Sequence, residues 1–345
     1  MKKILVLILI LFAVVLFLFL FSCSDNLGNE SENVNTGPET RTERPTIETD
    51  KNYVPVPPSL NVVYKTAPVF DGTAELRMDI YHPTVKKYEK SPLVVCFHGG
   101  GWIAGDKSQI MYIFAPVISE LRESGYTVAT AQYRYANGSI YFPSQIEDGI
   151  DAILYLKNNA DEYNIDTDSI GVLGYSAGAH LAMLSSYATA EFSAAGETET
   201  NDIIDIKYCV SAAGPTKMYG DEPSRYSRST LYLLENLFQG TYPEKEEIYK
   251  KGSPYFYIDN TENTNANKTK KVPLLLIHDE NDNVVPYEQS QVMFDKAKET
   301  GIPCELLTLR GIWHNIDFST DYMASPDKDE AVDIILDFIC KYSWR

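Results

Sequence analysis

The sequence predicts an α/β fold in which helices cover both faces of a mostly parallel, eight-stranded sheet. Two observations lead to this prediction. Short apolar runs of strand length alternate with longer segments, and in one of these, Ser144–Asn159, apolar residues recur at helical spacing. Strands that alternate with helices form parallel sheets, because each helix returns the chain to the same edge of the sheet.

Eight segments are expected to form the strands of this sheet, and the first two are expected to pair antiparallel. The predicted strands are Asn61–Thr66, Ala74–Tyr81, Leu93–His98, Tyr126–Gln132, Ile170–Gly174, Ile206–Ala212, Val272–His278 and Cys304–Leu309. The predicted helices are Gln109–Ser124, Ser144–Asn159, a run that ends at Ala188, Gln289–Thr300 and Asp329–Tyr342.

One region between the sixth and seventh predicted strands has a less regular pattern. Residues 214–271 contain two short helical pieces, followed by the polar run 259–271. Folds of this type carry functional loops over the end of the sheet. The region is therefore predicted to be a small lid insertion over the functional site.

A nucleophile motif lies where the fifth predicted strand meets the following helix. The residues Gly174, Tyr175, Ser176, Ala177 and Gly178 have the pattern Gly-x-Ser-x-Gly. Such a sharp turn exposes the serine hydroxyl at the end of the sheet and requires small neighbours. We predict that Ser176 is a nucleophile; for the motif alone, a glycine-rich turn with a capping serine is the simpler alternative.

A glycine-rich loop follows the third predicted strand. His98 is followed by Gly99, Gly100 and Gly101, and consecutive glycines let backbone N–H groups approach a ligand closely. We predict that Gly100, Gly101 and the N–H of Ala177 form an oxyanion hole. His98 is expected to shape this loop, and not to transfer protons.

Two further candidate groups follow the last two predicted strands. Asp279 and Asp282 follow the seventh strand, and His314 follows the eighth. A carboxylate can orient a histidine, which can then accept the proton of a serine hydroxyl. The chain order Ser, Asp, His is that of the α/β-hydrolases, and differs from the orders in chymotrypsin and subtilisin.

Through these motifs the chain resembles the esterase and lipase branch of the α/β-hydrolase fold that carries a His-Gly-Gly-Gly motif. Within that branch it is similar to bacterial carboxylesterases and to acetyl- or feruloyl-esterase-like proteins. The matching pieces, which span most of the chain from about Asn61, are Phe97–Lys107, Tyr133-Arg134, Phe142-Pro143 with Asp148, Gly174–His180, Asp282–Pro286 and His314. The resemblance implies an α/β-hydrolase fold.

The resemblance also implies an assignment of the catalytic residues. Asp282 matches the position of the family's acid, so the triad is predicted to be Ser176, Asp282 and His314. Two positions depart from the family pattern: Asp279 replaces the usual glycine, and Trp313 precedes the histidine where glycine or alanine is common. The first places a second carboxylate near the site, and the second is expected to narrow the acyl or alcohol pocket.

The predicted activity is hydrolysis of short-chain carboxylic esters, including acetyl or feruloyl esters on carbohydrate, through an acyl-enzyme. This chemistry needs no metal and no organic cofactor, and none is predicted. Two alternatives stay open. A peptidase or amidase on the same fold would usually need an additional substrate domain. An inactive binding protein is disfavoured because every catalytic element is present.

The N-terminus has the features of a bacterial export signal. Lys2 and Lys3 precede an unbroken apolar run from Ile4 to Phe21. This run ends close to Cys23 in a sequence that resembles a lipoprotein signal. We therefore predict that Cys23 carries lipid and tethers an exported enzyme to the membrane of the bacterial cell envelope. An uncleaved signal anchor is the alternative, because the run is long enough to span a membrane.

The rest of the chain is predicted to be a linker and one domain. Residues 24–58 are rich in Asn, Glu, Thr, Ser and Pro, and are predicted to be disordered. Residues 59–345 are long enough for one large α/β core, and are predicted to be the catalytic domain.

Charge and cysteine content narrow the range of partners. The formal net charge of −18 disfavours binding to nucleic acid or to anionic membrane surfaces. The expected partner is a small-molecule or glycan ester. The cysteines at 96, 209, 304 and 340 lie in apolar runs without a Cys-x-x-Cys pattern, and are predicted to be buried free thiols, although export permits disulfides.

Overall fold

The computed structural model follows the alternation of strands and helices that the sequence predicts. It describes residues 53–193, 204–258, 271–322 and 325–344, all of which belong to one compact unit. The predicted export signal and most of the predicted linker lie outside these residues. Within them, no helix has both the length and the apolar character needed to cross a membrane.

Eight strands form a single sheet. Their bounds are β1 Ser59–Pro68, β2 Thr73–Tyr81, β3 Ser91–Phe97, β4 Thr127–Ala131, β5 Ile165–Tyr175, β6 Ile206–Ala212, β7 Leu274–Asp279 and β8 Cys304–Leu309. The strand order is β1-β2-β4-β3-β5-β6-β7-β8. β2 pairs antiparallel with β1 and with β4, and every other neighbouring pair is parallel. The predicted sheet, including its antiparallel opening pair, is confirmed.

Ten α-helices occur in the described part of the chain. They are α1 Gln109–Ile113, α2 Ala115–Glu123, α3 Ser144–Asn158, α4 Ala177–Tyr187, α5 Thr189–Phe192, α6 Arg228–Phe238, α7 Glu246–Lys251, α8 Pro254–Ile258, α9 Glu288–Thr300 and α10 Lys328–Tyr342. The prediction of one helix over Gln109–Ser124 is wrong, because the chain breaks at Phe114. Pro116 has no N–H to continue the hydrogen bonds of α1, and it starts a new helix instead.

The sheet is covered on both faces. All residues of β3 are buried. Leu93, Val95 and Phe97 belong to one hydrophobic cluster, whereas Val94 and Cys96 belong to a second. Because successive side chains of a strand point to opposite faces of the sheet, the two clusters lie on opposite faces. This arrangement confirms the prediction of helices on both sides.

The predicted lid insertion between β6 and β7 is more helical than expected. It contains α6, α7 and α8 as well as two short 3₁₀ helices, and not only two helical pieces. Ser227 caps α6, since its hydroxyl accepts a hydrogen bond from the N–H of Thr230 at 3.2 Å. On α6, Leu234 is fully buried and Tyr232 is 63% exposed, so the helix has a buried and a solvent face.

The cysteines at positions 96, 209, 304 and 340 are free thiols. Cys96 and Cys209 are buried in central strands, as predicted, whereas Cys304 and Cys340 are half-buried. Burial raises the pKa of the Cys209 thiol to about 12. Burial likewise raises the pKa of Cys96 and Cys304, so these three thiols are protonated at neutral pH and have little nucleophilic character.

Candidate active site

The turn from β5 into α4 places Ser176 at the carboxyl edge of the sheet. Its backbone has φ 53° and ψ −120°, a conformation that is unfavourable for a residue with a Cβ. A Cβ added to Gly174 would lie 2.2 Å from the carbonyl oxygen of Gly178, and one added to Gly178 would lie 2.1 Å from that of Phe97. Glycine is thus required on both sides of Ser176, for the reason the motif suggested.

The structure brings Ser176, His314 and Asp282 together. The Nε2 atom of His314 lies 3.0 Å from Ser176 Oγ, and its Nδ1 atom lies 2.7 Å from Asp282 Oδ2. These residues follow β5, β8 and β7, whose carboxyl ends meet at the same edge of the sheet. With the ring proton on Nδ1 donated to the carboxylate, Nε2 can accept the proton of the serine hydroxyl.

Asp282 is held on both of its oxygens. Oδ1 accepts the backbone N–H groups of Val284 and Val285 at 2.8 and 2.9 Å. Oδ2 lies 2.7 Å from His314 Nδ1 and 3.2 Å from His278 Nε2. Burial alone would raise the pKa of Asp282, but the hydrogen bonds from the two histidines outweigh burial and lower it. The carboxylate therefore stays ionised beside His314.

The second carboxylate in this loop has different partners. Asp279 is fully buried. Its Oδ1 accepts the N–H of Asn281 at 2.8 Å, and its Oδ2 accepts the N–H of Ile312 at 2.9 Å. Asp279 thus joins the loop that carries Asp282 to the loop that carries His314, through backbone hydrogen bonds. The departure from glycine at this position has a structural consequence that the sequence did not reveal.

Tyr175 also supports the loop that carries His314. Its hydroxyl donates a hydrogen bond to the carbonyl of His314, and the two rings lie 5.5 Å apart. Trp313, the residue directly before His314, has φ 53° and is 36% exposed. Sequence reasoning missed the contact made by Tyr175, because the second position of Gly-x-Ser-x-Gly accepts many residue types.

The glycine-rich loop after β3 has an unusual backbone. Gly100, Gly101 and Trp102 have φ values of 119°, 58° and 60°. The carbonyl of Gly100 accepts the N–H groups of Ile103 and Ala104, both at 3.1 Å. A Cβ added to Gly100 would lie 2.0 Å from the carbonyl oxygen of Ala104. The loop can therefore close in this form only with glycine at position 100.

Three backbone N–H groups, two in the glycine-rich loop and one at the start of α4, have no hydrogen-bond partner among the described residues. The N–H of Gly99 is used by Gln109 Oε1 at 2.8 Å. No acceptor among the described residues takes the N–H of Gly100 or of Gly101. Ala177 is the first residue of α4, so its N–H has no partner within the helix. These are the three groups predicted to bind an oxyanion.

Trp102 anchors the glycine-rich loop in the core. It is 3% exposed, and its indole N–H donates to His180 Nδ1 at 3.2 Å. His180 Nε2 in turn donates to the carbonyl of Gly252 at 2.6 Å. Burial lowers the pKa of His180 to about 4, in agreement with the neutral ring that this pattern needs. The buried indole of Trp102 thus ties the glycine-rich loop to helix α4.

His98 is buried and hydrogen-bonds within the glycine-rich loop that it precedes. His98 donates from Nδ1 to the carbonyl of Gly99 at 2.7 Å and stacks on Tyr133 at 4.3 Å. Burial lowers the pKa of His98 to about 4.

Asp148 is fully buried and accepts two side-chain hydrogen bonds from Arg134, both at 2.8 Å. Asp148 also forms an ion pair with Lys65, whose Nζ atom lies 2.7 Å from Asp148 Oδ1.

The strand order, the helices on both faces and the turn at Ser176 define the class: the protein is an α/β-hydrolase. Within that class the chain belongs to the BD-FAE family, whose profile matches residues 78–297.

The individual relatives have low sequence identity to this chain. The chain is 27% identical over 272 residues to isoprenylcysteine alpha-carbonyl methylesterase of Arabidopsis thaliana, covering 79% of this chain and 61% of the relative. It therefore spans about three fifths of the length of the curated relatives that it matches first.

Two solved structures share the fold. A truncated carbohydrate esterase from gut microbiota superposes with a TM-score of 0.66 at 21% identity, covering 86% of this chain and 100% of that chain. The propionate-bound esterase Est2 of the planctomycete Thermogutta terrifontis superposes with a TM-score of 0.63 at 20% identity, covering 82% and 94%.

Proposed function

We propose that the protein is a serine hydrolase that cleaves short-chain carboxylic esters. The observation that carries this proposal is the hydrogen-bonded chain from Ser176 Oγ through the His314 ring to Asp282, with spacings of 3.0 and 2.7 Å. The relatives provide independent support, since the curated and structural matches described above are named as esterases.

The chain from serine to carboxylate supplies the proton transfers of the reaction. His314 Nε2 takes the proton of Ser176 as Oγ attacks the ester carbonyl, and then gives it to the departing alcohol oxygen. The ionised Asp282 holds the proton on Nδ1 and stabilises the imidazolium. A water molecule, activated by the same nitrogen, then cleaves the acyl-enzyme and releases the carboxylic acid.

The three available N–H groups stabilise the tetrahedral intermediates. Gly100, Gly101 and Ala177 are fixed by the backbone before substrate binds, so no reorganisation is needed when negative charge develops. Loss of one such donor typically costs about 3 kcal/mol of barrier stabilisation. No step in this sequence uses a metal or an organic cofactor.

The substrate we propose is a small-molecule or glycan ester with a short acyl group. An acidic protein, with a net charge of −18, repels strongly anionic polymers. The structural neighbour from gut microbiota is named as a carbohydrate esterase, and the neighbour from Thermogutta terrifontis was solved with propionate. Acetyl and feruloyl groups on carbohydrate are both candidates.

A substrate series tests the proposed function. We expect kcat/KM to be highest for p-nitrophenyl esters of short acids and to fall toward palmitate, and we expect release of acetate or ferulate from acylated xylan. A dipeptide amide should be a much poorer substrate than an acetyl ester. A maximum at long chains, or no release from any glycan, would remove the carbohydrate-ester assignment; preference for the amide would instead favour a peptidase.

We propose in addition that Cys23 carries lipid and that the mature enzyme is tethered to the membrane of the cell envelope. The support is the position of Cys23, two residues after the end of an apolar run and before a polar segment. We expect Cys23→Ser to leave an uncleaved precursor, and mass spectrometry of the wild-type protein to show a lipid-modified N-terminal cysteine. A mature protein that begins with unmodified Met1 would indicate a signal anchor.

A further inference from the structure

Helix α6 of the insertion contacts the loops that follow β3, β4 and β7. Near its start, the hydroxyl of Thr230 donates to the carbonyl of Val284 at 2.8 Å, two residues after Asp282 in the chain. Near its end, the side-chain amide of Asn236 donates to the carbonyl of Ala136 at 3.2 Å. The helix is thus fixed near its start to the loop after β7, which carries Asp282, and near its end to the loop after β4.

A third contact strengthens the second attachment. The carbonyl of Leu237 accepts the N–H of Phe142 at 3.0 Å. Leu234 and Leu237, on the inner face of the helix, are fully buried. These hydrogen bonds and this packing hold α6 in place. The side chains that α6 carries therefore have fixed positions relative to the neighbouring loops.

Leu233 lies in the middle of α6 and packs against the glycine-rich loop. A Cβ added to Gly101 would lie 2.7 Å from Leu233 Cδ1 and 3.1 Å from Cδ2. The leucine methyls are therefore in van der Waals contact with Gly101, the residue whose free N–H we assign to the oxyanion. Leu233 is half-buried, between the buried Leu234 and the exposed Tyr232.

The bonds of an ester limit the distance between Gly101 and the first carbon of the acyl group. A carbonyl oxygen held by Gly101 lies about 2.9 Å from the backbone nitrogen. The carbonyl carbon is about 1.2 Å further, and the first carbon of the acyl group another 1.5 Å. The first acyl carbon therefore lies within about 6 Å of the nitrogen of Gly101, the residue on which the Leu233 methyls pack. The other group on the carbonyl carbon, the alcohol oxygen, must face His314 Nε2, which protonates it, so the acyl chain is the group that extends away from His314.

We propose that Leu233 limits the acyl group to two or three carbons, so that the bulk of the natural substrate lies on the alcohol side of the ester. This inference rests on the proposed ester hydrolysis and narrows it. It selects acetyl over feruloyl, because a feruloyl group would place an aromatic ring where the leucine methyls lie. The same limit on the acyl group would exclude methyl esters of large acids as substrates.

The test is the acyl profile of Leu233→Ala, measured with p-nitrophenyl acetate, butyrate, hexanoate and with a feruloyl ester. We expect kcat/KM for hexanoate to rise about tenfold or more, and that for acetate to change less than about threefold. Leu233→Phe should act in the opposite direction and lower butyrate relative to acetate. Tyr232→Ala is the matched control, since that side chain is 63% exposed on the same helix, and its acyl profile should stay that of the wild type.

A second series of substrates distinguishes effects on the acyl group from effects on the alcohol group. Acetyl esters of alcohols of increasing size should respond alike in the wild type and in Leu233→Ala. The inference is overturned if neither Leu233 variant changes the acyl profile, if the alcohol series changes instead, or if the wild type cleaves feruloyl and acetyl esters equally well. Absence of any ester hydrolysis by the folded wild type would refute the proposed function itself.

Discussion

Ser176→Ala lowers kcat for p-nitrophenyl acetate by about six orders of magnitude, if Ser176 is the nucleophile that we propose. The substitution removes one hydroxyl, whose hydrogen-bond partner is His314 at 3.0 Å. Without it no acyl-enzyme forms, and only the residual rate from the oxyanion hole and from substrate binding remains. Labelling by a fluorophosphonate, followed by mass spectrometry, should be lost as well.

A control separates loss of chemistry from loss of fold. The midpoint of thermal unfolding should be nearly the same in Ser176→Ala and in the wild type. Ser185→Ala provides the comparison, because Ser185 lies on α4, is buried, and its hydroxyl has no hydrogen-bond partner among the described residues. We expect Ser185→Ala to retain activity and fluorophosphonate labelling. Wild-type turnover by Ser176→Ala would contradict the mechanism.

Asp282→Asn should lower kcat by about four orders of magnitude, the size of the effect in the comparable serine-protease substitution. Two backbone N–H groups bind Oδ1 of Asp282, so an asparagine oxygen would occupy that position. The amide NH₂ would then face His314 Nδ1. Nδ1 would have to accept this hydrogen bond, the ring proton would move to Nε2, and Nε2 could no longer take a proton from Ser176.

Asp279→Asn is the matched control for Asp282→Asn. The asparagine keeps one oxygen, and so can accept the N–H of Asn281 or of Ile312, but not both. We expect a lower midpoint of thermal unfolding and a decrease in kcat of about tenfold or less, since one buried hydrogen bond is lost. If Asp279→Asn were the crippling change and Asp282→Asn were mild, the assignment of the acid would be wrong.

Local sequence patterns predicted most of the fold. The sheet could be predicted because each buried strand is a short apolar run, and because strand and helix periods differ. The break between α1 and α2 was missed, since apolar residues continue across Phe114 and one proline determines the division. The helices of the insertion were undercounted because short helices depend on tertiary packing, which no single-segment pattern records.

The sequence alone determined the turn at Ser176, since the close approach of neighbouring backbone to Gly174 and Gly178 is a local requirement that any chain with this turn must meet. It also determined which side chains stand at the carboxyl ends of the strands. The choice of Asp282 over Asp279 came from the family resemblance, because both carboxylates follow the same strand.

Only the tertiary structure decided which groups meet across the sheet edge. Tyr175 meets the carbonyl of His314, Asp279 joins two loops, and Leu233 packs on Gly101. In each case the partners are far apart in the chain and are brought together by the order of the strands and the path of the insertion. Periodicity shows that a residue is buried or exposed, but the neighbour it meets depends on the packing of whole elements.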